Sequence, residues 1–96
     1  MNENKLYLSV VVPVYDEEEA VSDLHHKIVT ACTKIDKPYE IIFVNDGSQD
    51  KTIEVLKTLT PIKIINFRTN FGQTVAMDAG IKAAQGLYYI RRRWTE

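Results

Sequence analysis

Three short stretches hold the residues whose types and spacing could do chemistry. Asp46-Gly47-Ser48 follows the apolar run Ile41-Ile42-Phe43-Val44; Tyr15-Asp16-Glu17 follows Val10-Val11-Val12-Pro13-Val14; Arg68, Asn70 and Gly72 follow Ile64-Ile65-Asn66-Phe67. Each is an apolar run that stops on polar side chains. That is the pattern of a buried strand delivering groups to the C-terminal edge of a sheet, where open α/β proteins bind ligands. A carboxylate such as Asp46 can there accept hydrogen bonds from a base N–H or a ribose hydroxyl. An Asp before Gly equally makes an Asx turn, and the spacing leaves both roles open. Glu17 is close enough to its strand end to face a ligand, whereas Glu18 and Glu19 suit the first turn of a helix, whose dipole they complement. A helix opening at Asn70 and Gly72 offers N–H groups to an anion. Arg68 reads as a solvated strand-end cation. Together the three ends predict one polar ligand, a nucleotide.

Several other chemistries are excluded. No G-x-G-x-x-G follows the first strand and no G-x-x-x-x-G-K-[ST] occurs, so neither a dinucleotide fingerprint nor a P-loop is present. Without G-x-S-x-G, Ser9, Ser22 and Ser48 have no case as nucleophiles. His25 and His26 are adjacent and point to different sides of a helix, so they read as surface residues rather than as a metal pair. Cys32 is the only cysteine; it cannot form an internal disulfide, it suits a reducing compartment, and its place on an apolar stripe makes it a small hydrophobe. The net charge of -1 gives no bulk attraction to nucleic acid. No run approaches the roughly 18 apolar residues of a membrane span, and the polar start with Pro13 behind it does not read as a signal peptide.

The 96 residues are one domain at most. Continuous apolar runs predict parallel strands, buried on both faces, at 6–12, 39–44, 62–67 and 87–90. Pro13 is expected to end the first, having no N–H to donate. Between them lie helices at 17–35, 50–59 and 71–84. In the first, Ala20, Val21, Leu24, Ile28, Ala31, Cys32 and Ile35 form one stripe. In the third, Gly72, Ala76, Ala79, Gly80 and Ala83 form a small-residue side that lets it lie close to the sheet. Ser48 or Asp50 can cap the second. Such alternation means an α/β fold with helices on both faces of a parallel sheet. The expected strand order is 3-2-1-4, with the crevice where the order reverses, between strands 1 and 4.

Three blocks carry a resemblance: Ser9-Val10-Val11-Val12-Pro13-Val14-Tyr15-Asp16-Glu17-Glu18, then residues 39–52 around Val44-Asn45-Asp46-Gly47-Ser48, then Asn70-Phe71-Gly72-Gln73-Thr74-Val75-Ala76 through Gly80. In this order and spacing they resemble the opening of a family 2 glycosyltransferase. The branch they look most like moves a sugar from a nucleotide to a polyprenyl (dolichyl or undecaprenyl) phosphate. The resemblance implies the Rossmann-like half of a GT-A fold, with residues 1–86 as the nucleotide-sugar-binding half. It implies that Pro13, Tyr15 and Glu17 line the base and ribose pocket. Val44 and Asp46 would contact the base, and Asn70 and Gly72 would shape the loop beside the diphosphate. It also implies a UDP- or GDP-sugar donor and, in the intact enzyme, a polyprenyl phosphate acceptor and Mg²⁺ or Mn²⁺. Such an enzyme would be cytoplasmic and associated with the cytoplasmic face of a membrane.

Residues 87–96 depart from the family pattern. Where the family runs into an Asp-x-Asp metal motif, this chain has Arg91-Arg92-Arg93-Trp94-Thr95-Glu96, which reads as a truncation with an atypical basic tail. No catalytic residue or metal ligand is therefore assigned, and the chain is expected to be inactive alone. The alternative is a non-catalytic α/β module that binds a nucleotide or a protein. An uncovered apolar fourth strand also predicts self-association.

Overall fold

The computed structural model describes residues 5–92; the predicted basic tail from Arg93 onward lies outside them. Strands and helices alternate strictly: β1 (Leu8–Val14), α1 (Val21–Thr33), β2 (Tyr39–Asn45), α2 (Thr52–Leu56), β3 (Lys63–Asn66), α3 (Gln73–Ala83) and β4 (Tyr88–Arg91). The sheet is parallel throughout, in the order β3-β2-β1-β4, as the alternation predicts.

Every residue of β1 is buried, which explains its nearly unbroken run of β-branched residues. Its side chains alternate between two cores. Val10, Val12 and Val14 join Ile41, Phe43, Val21, Ile28 and Leu56 beneath α1 and α2. On the other face Ile42, Val44 and Ala76 pack together under α3. Each large apolar side chain fully buried in this way contributes about 1.5–3 kcal/mol. Gly80 sets how closely α3 approaches: a Cβ there would stand 2.2 Å from Val11 Cγ1 and 3.1 Å from Val44 Cγ2. Of the predicted small-residue side, Ala76 and Gly80 are buried, Ala83 is exposed, and Gly72 precedes the helix.

Four expectations are corrected. Pro13 does not end β1; it lies within the strand, opposite Val44. Val11 accepts from Arg92 N on the β4 side, and Val14 accepts from Asp46 N on the β2 side. Pro13 shares Val11's side, one step beyond the last β1–β4 pair, so its missing N–H falls where the β4 ladder stops, while the β2 ladder runs on to Val14. Second, α1 begins at Val21, not near residue 17, because the preceding residues are held in a loop described below. Third, His25 is buried, 5% exposed, and donates from Nε2 to Pro61 O at 2.8 Å beside the Phe43 ring. Only His26 is at the surface. Fourth, α2 spans only Thr52–Leu56, and the Ala31–Ile35 end of the α1 stripe is exposed apart from Cys32.

At the N-terminal end of the sheet a buried carboxylate ties the strands together. Glu40 accepts from Ser9 Oγ at 2.5 Å and from Gln85 N at 2.7 Å, and pairs with Lys63 Nζ at 2.5 Å. Ser9 Oγ in turn accepts from Gly86 N at 2.9 Å. A Cβ on Gly86 would stand 2.8 Å from Leu8 C, so glycine is required where the chain enters β4. Burial pushes the Glu40 carboxyl up, but the bonds from Lys63, Ser9 and Gln85 and the Lys63 charge outweigh it and hold it below the usual range.

Candidate functional site

The C-terminal ends of β1, β2 and β3 lead into three loops that meet. Asp46, the first residue after β2, is 3% exposed. Its Oδ1 accepts from Phe71 N at 2.8 Å, and its Oδ2 accepts from Gly72 N at 3.0 Å and Asn70 Nδ2 at 3.1 Å. Asn70 Nδ2 also donates to Asp46 O at 3.0 Å. Two N–H groups just ahead of α3, those of Phe71 and Gly72, are thus already bonded to a carboxylate of the chain itself. Gly47 (φ 72°) makes this approach feasible, since a Cβ there would fall 2.3 Å from Thr69 C. Beside it, Asn45 donates to Asn66 Oδ1 at 2.9 Å and accepts from Ser48 Oγ at 2.5 Å, linking β2 to the end of β3.

The β1–α1 loop, residues 15–20, is laced to the β2–α2 loop. Asp16, in a left-handed conformation (φ 52°), donates its N–H to Ser48 Oγ at 2.8 Å and accepts from Gln49 N at 2.7 Å. Glu17 N donates to Thr52 Oγ1 at 2.9 Å. Glu18 N donates to Asp50 Oδ2 at 3.2 Å, and Lys51 N donates to Glu18 Oε1 at 2.9 Å. Asp50 Oδ1 also accepts from Thr52 N at 2.9 Å and from the Thr52 hydroxyl. Burial raises the Asp50 carboxyl, and the Thr52 and Glu18 bonds more than reverse this and lower it. Glu18 is thus a loop staple rather than a first-turn helix acid; Asp23 takes that place. The signal for these staples is present in residue types: Ser48, Asp50 and Thr52 are side chains that readily bond backbone. Their partners lie 32 to 35 residues away, which no local pattern shows.

Among the expected site residues, Asp46, Asn70 and Gly72 are in direct contact. Pro13 and Val44 are strand partners and both fully buried. Tyr15 and Glu17 are half-buried on the neighbouring loop. Two open spaces flank this edge. One, about 450 Å³, is bordered by Asp16, Glu17, Glu18, Glu19, Ala20 and Asp50. The other, about 380 Å³, lies between α3 and the end of β4. Among the described residues no group of three or more His, Cys, Asp or Glu is arranged to hold a metal ion, so Mg²⁺ or Mn²⁺ finds no donor set there.

Comparison with known proteins decides the family. The sequence profile described as "Glycosyl transferase family 2" matches residues 9–91. The chain belongs to this family. Similar proteins include an uncharacterized glycosyltransferase of Synechocystis sp., 43% identical over 82% of this chain and 26% of that protein. An undecaprenyl-phosphate 4-deoxy-4-formamido-L-arabinose transferase of Pectobacterium atrosepticum is 42% identical over 82% of this chain and 26% of its own length. A dodecaprenyl-phosphate galacturonate synthase of Rhizobium johnstonii is 37% identical over 84% and 25%. The crystal structure of S. aureus TarS 1–349 superposes with a TM-score of 0.75 at 24% identity, covering 92% of this chain and 27% of that one, a likeness of fold. The family 2 chain described here therefore spans about a quarter of the length of these relatives, with a GT-A-like α/β fold. No helix among its described residues is long and apolar enough to cross a membrane.

Proposed function

We propose that this chain is the N-terminal, nucleotide-sugar-binding region of a glycosyltransferase. In this reading the intact enzyme moves a hexose from a UDP- or GDP-sugar to a polyprenyl phosphate on the cytoplasmic face of a membrane. The observation that carries it is the convergence of the β1, β2 and β3 ends into one hydrogen-bonded edge, in a chain similar to two polyprenyl-phosphate sugar transferases. Pro13, Tyr15 and Glu17 from the first loop, Val44 and Asp46 from the second, and Asn70 and Gly72 from the third build the donor edge. Pro13 and Val44 contribute as the buried floor on which the loops stand. Their work is to bind and orient the nucleoside. In the intact enzyme Mg²⁺ or Mn²⁺ would supply neutralisation of charge on the diphosphate; among the described residues no group of three or more His, Cys, Asp or Glu is placed to hold such an ion. This chain alone binds without transferring sugar.

The test is titration of the chain with UDP and with GDP, each with and without Mn²⁺, followed by amide NMR. Shifts at Tyr15, Val44 and Asp46 with one nucleotide, indifferent to metal, are expected and name the donor class. A dispersed spectrum that moves with neither nucleotide overturns the reading in favour of a module of another kind.

A further inference from the structure

We infer that Asp16 is a positioning residue of this edge, which acts by holding a left-handed turn between Tyr15 and Glu17. The geometry carries the turn; its use in binding rests on the nucleotide-binding reading above. Asp16 has φ 52°, a conformation that crowds the Cβ of most residues and that Asp and Asn tolerate best after glycine. The turn falls just beyond the end of β1 at Val14. It carries the chain across the β2–α2 loop, where Glu17 N meets Thr52 Oγ1 at 2.9 Å and Glu18 N meets Asp50 Oδ2 at 3.2 Å. That loop grips Asp16 twice: its N–H donates to Ser48 Oγ at 2.8 Å, and its Oδ1 accepts from Gln49 N at 2.7 Å. Ser48 is itself fixed. Its hydroxyl donates to Asn45 Oδ1 at 2.5 Å, and Asn45, 2% exposed, donates to Asn66 Oδ1 at 2.9 Å. The bonds run in one direction, from Asp16 through Ser48 and Asn45 to the end of β3. The turn beside β1 is thus held from both of the other strand ends. Asp16 is exposed, while Tyr15 and Glu17 on either side of it are half-buried. The position demands a residue that accepts the left-handed conformation and offers an oxygen to Gln49 N. Asparagine meets both demands without a charge, and alanine meets neither.

Three variants of the full chain test this. Asp16→Asn keeps the conformation and the oxygen, Asp16→Ala removes both, and Ser48→Ala cuts the grip from the other loop. In the ligand-free chain, hydrogen exchange at the Glu17 and Gln49 amides matches the parent in Asp16→Asn and rises by about tenfold in Asp16→Ala. Ser48→Ala speeds exchange at the Asp16 and Glu17 amides. In titrations with UDP and GDP, whichever nucleotide the parent binds is held about tenfold more weakly by Asp16→Ala and by Ser48→Ala, and Asp16→Asn restores the parent affinity. A loss in Asp16→Asn as large as in Asp16→Ala overturns the inference in favour of a carboxylate that meets the ligand or its cation. Parent affinity in Asp16→Ala, with Glu17 exchange raised, overturns it in favour of a turn that binding does not use. Unchanged Glu17 exchange in Asp16→Ala means that the turn holds without Asp16, and overturns it outright. If the parent chain binds neither nucleotide, it is the proposed function that fails, and the ligand-free exchange still decides whether Asp16 holds the turn. If Asp16→Ala does not fold, Ser48→Ala carries both arms.

Discussion

Removing the Glu40 side chain should cost this protein a large part of its stability. The carboxylate is the shared acceptor of Ser9 on β1 and Gln85 at the entry to β4, and the ion partner of Lys63 on β3. The Glu40 side chain is 5% exposed, but Lys63 is 51% exposed, so the ion pair itself contributes little after solvent screening. The weight falls on the two buried bonds. Hydrogen bonds to a charged group contribute about 1.5–3 kcal/mol each, and a buried donor left unsatisfied costs about 1–3 kcal/mol. Glu40→Ala strips Ser9 and Gln85 of their acceptor, and we expect a loss of about 3 kcal/mol. In a domain of this size that lowers Tm by roughly 12–24 °C, against a total stability of about 5–15 kcal/mol. Glu40→Gln keeps one oxygen and should lose about 1–2 kcal/mol. Its second signature is in pH. The folded carboxyl is held below its ordinary value. The stabilisation is therefore fully present above the unfolded pKa of about 4.3, and is lost as pH falls through the depressed folded value. Urea titrations followed by circular dichroism at several pH values between neutral and acid should show a steeper loss on acidification for the parent than for Glu40→Gln. A Glu40→Gln protein as stable as the parent at neutral pH, with the same acid slope, would refute this account.

Two further outcomes are expected. Gly80→Ala should destabilise by about 1–3 kcal/mol in thermal melts, because overpacking against Val11 outweighs the gain of about 1 kcal/mol in helix propensity. Leu87, Tyr88, Tyr89 and Ile90 are each 46–60% exposed along an edge strand. Light scattering should therefore show a mass that rises with concentration, and Ile90→Lys should lower it; a concentration-independent monomer in the parent chain would remove the expectation.

Much of the fold is readable from the strands. Residues 8–14 and 39–45 are buried almost throughout, so they must be apolar almost throughout, and their crossover lengths require a parallel sheet. The misreadings have a common physical origin in tertiary contacts that override local rules. Pro13 can stop only the ladder its nitrogen faces, the one to β4, and the ladder to β2 runs on past it. His25 is a polar residue beside a polar residue; nothing local reveals that Pro61 O waits above Phe43 to receive its N–H. Residues 17–19 have acidic types suited to a helix start, yet four cross-loop bonds from Asp16, Glu17 and Glu18 give the backbone better partners. At the candidate site, the motif around Asp46 pointed to the edge where the three strand ends meet. Its three bonds to residues 70–72 join positions 24 to 26 apart, a separation that only the folded chain can close.

The lacing of the first two loops has a consequence for how this edge can vary. Each loop lends a side chain to the other's backbone: Asp16 to Gln49 and Glu18 to Lys51 in one direction, Ser48 to Asp16 and Asp50 to Glu18 in the other. Neither loop is then a free surface segment of the sort that usually tolerates insertion. Adding a residue to one shifts the register of all four crossings at once, so tolerated length changes should come as matched pairs or not at all. Novelty at this edge is left to side chains outside the stitching, and to the third loop, whose hold on the others passes through Asp46 alone among the carboxylates.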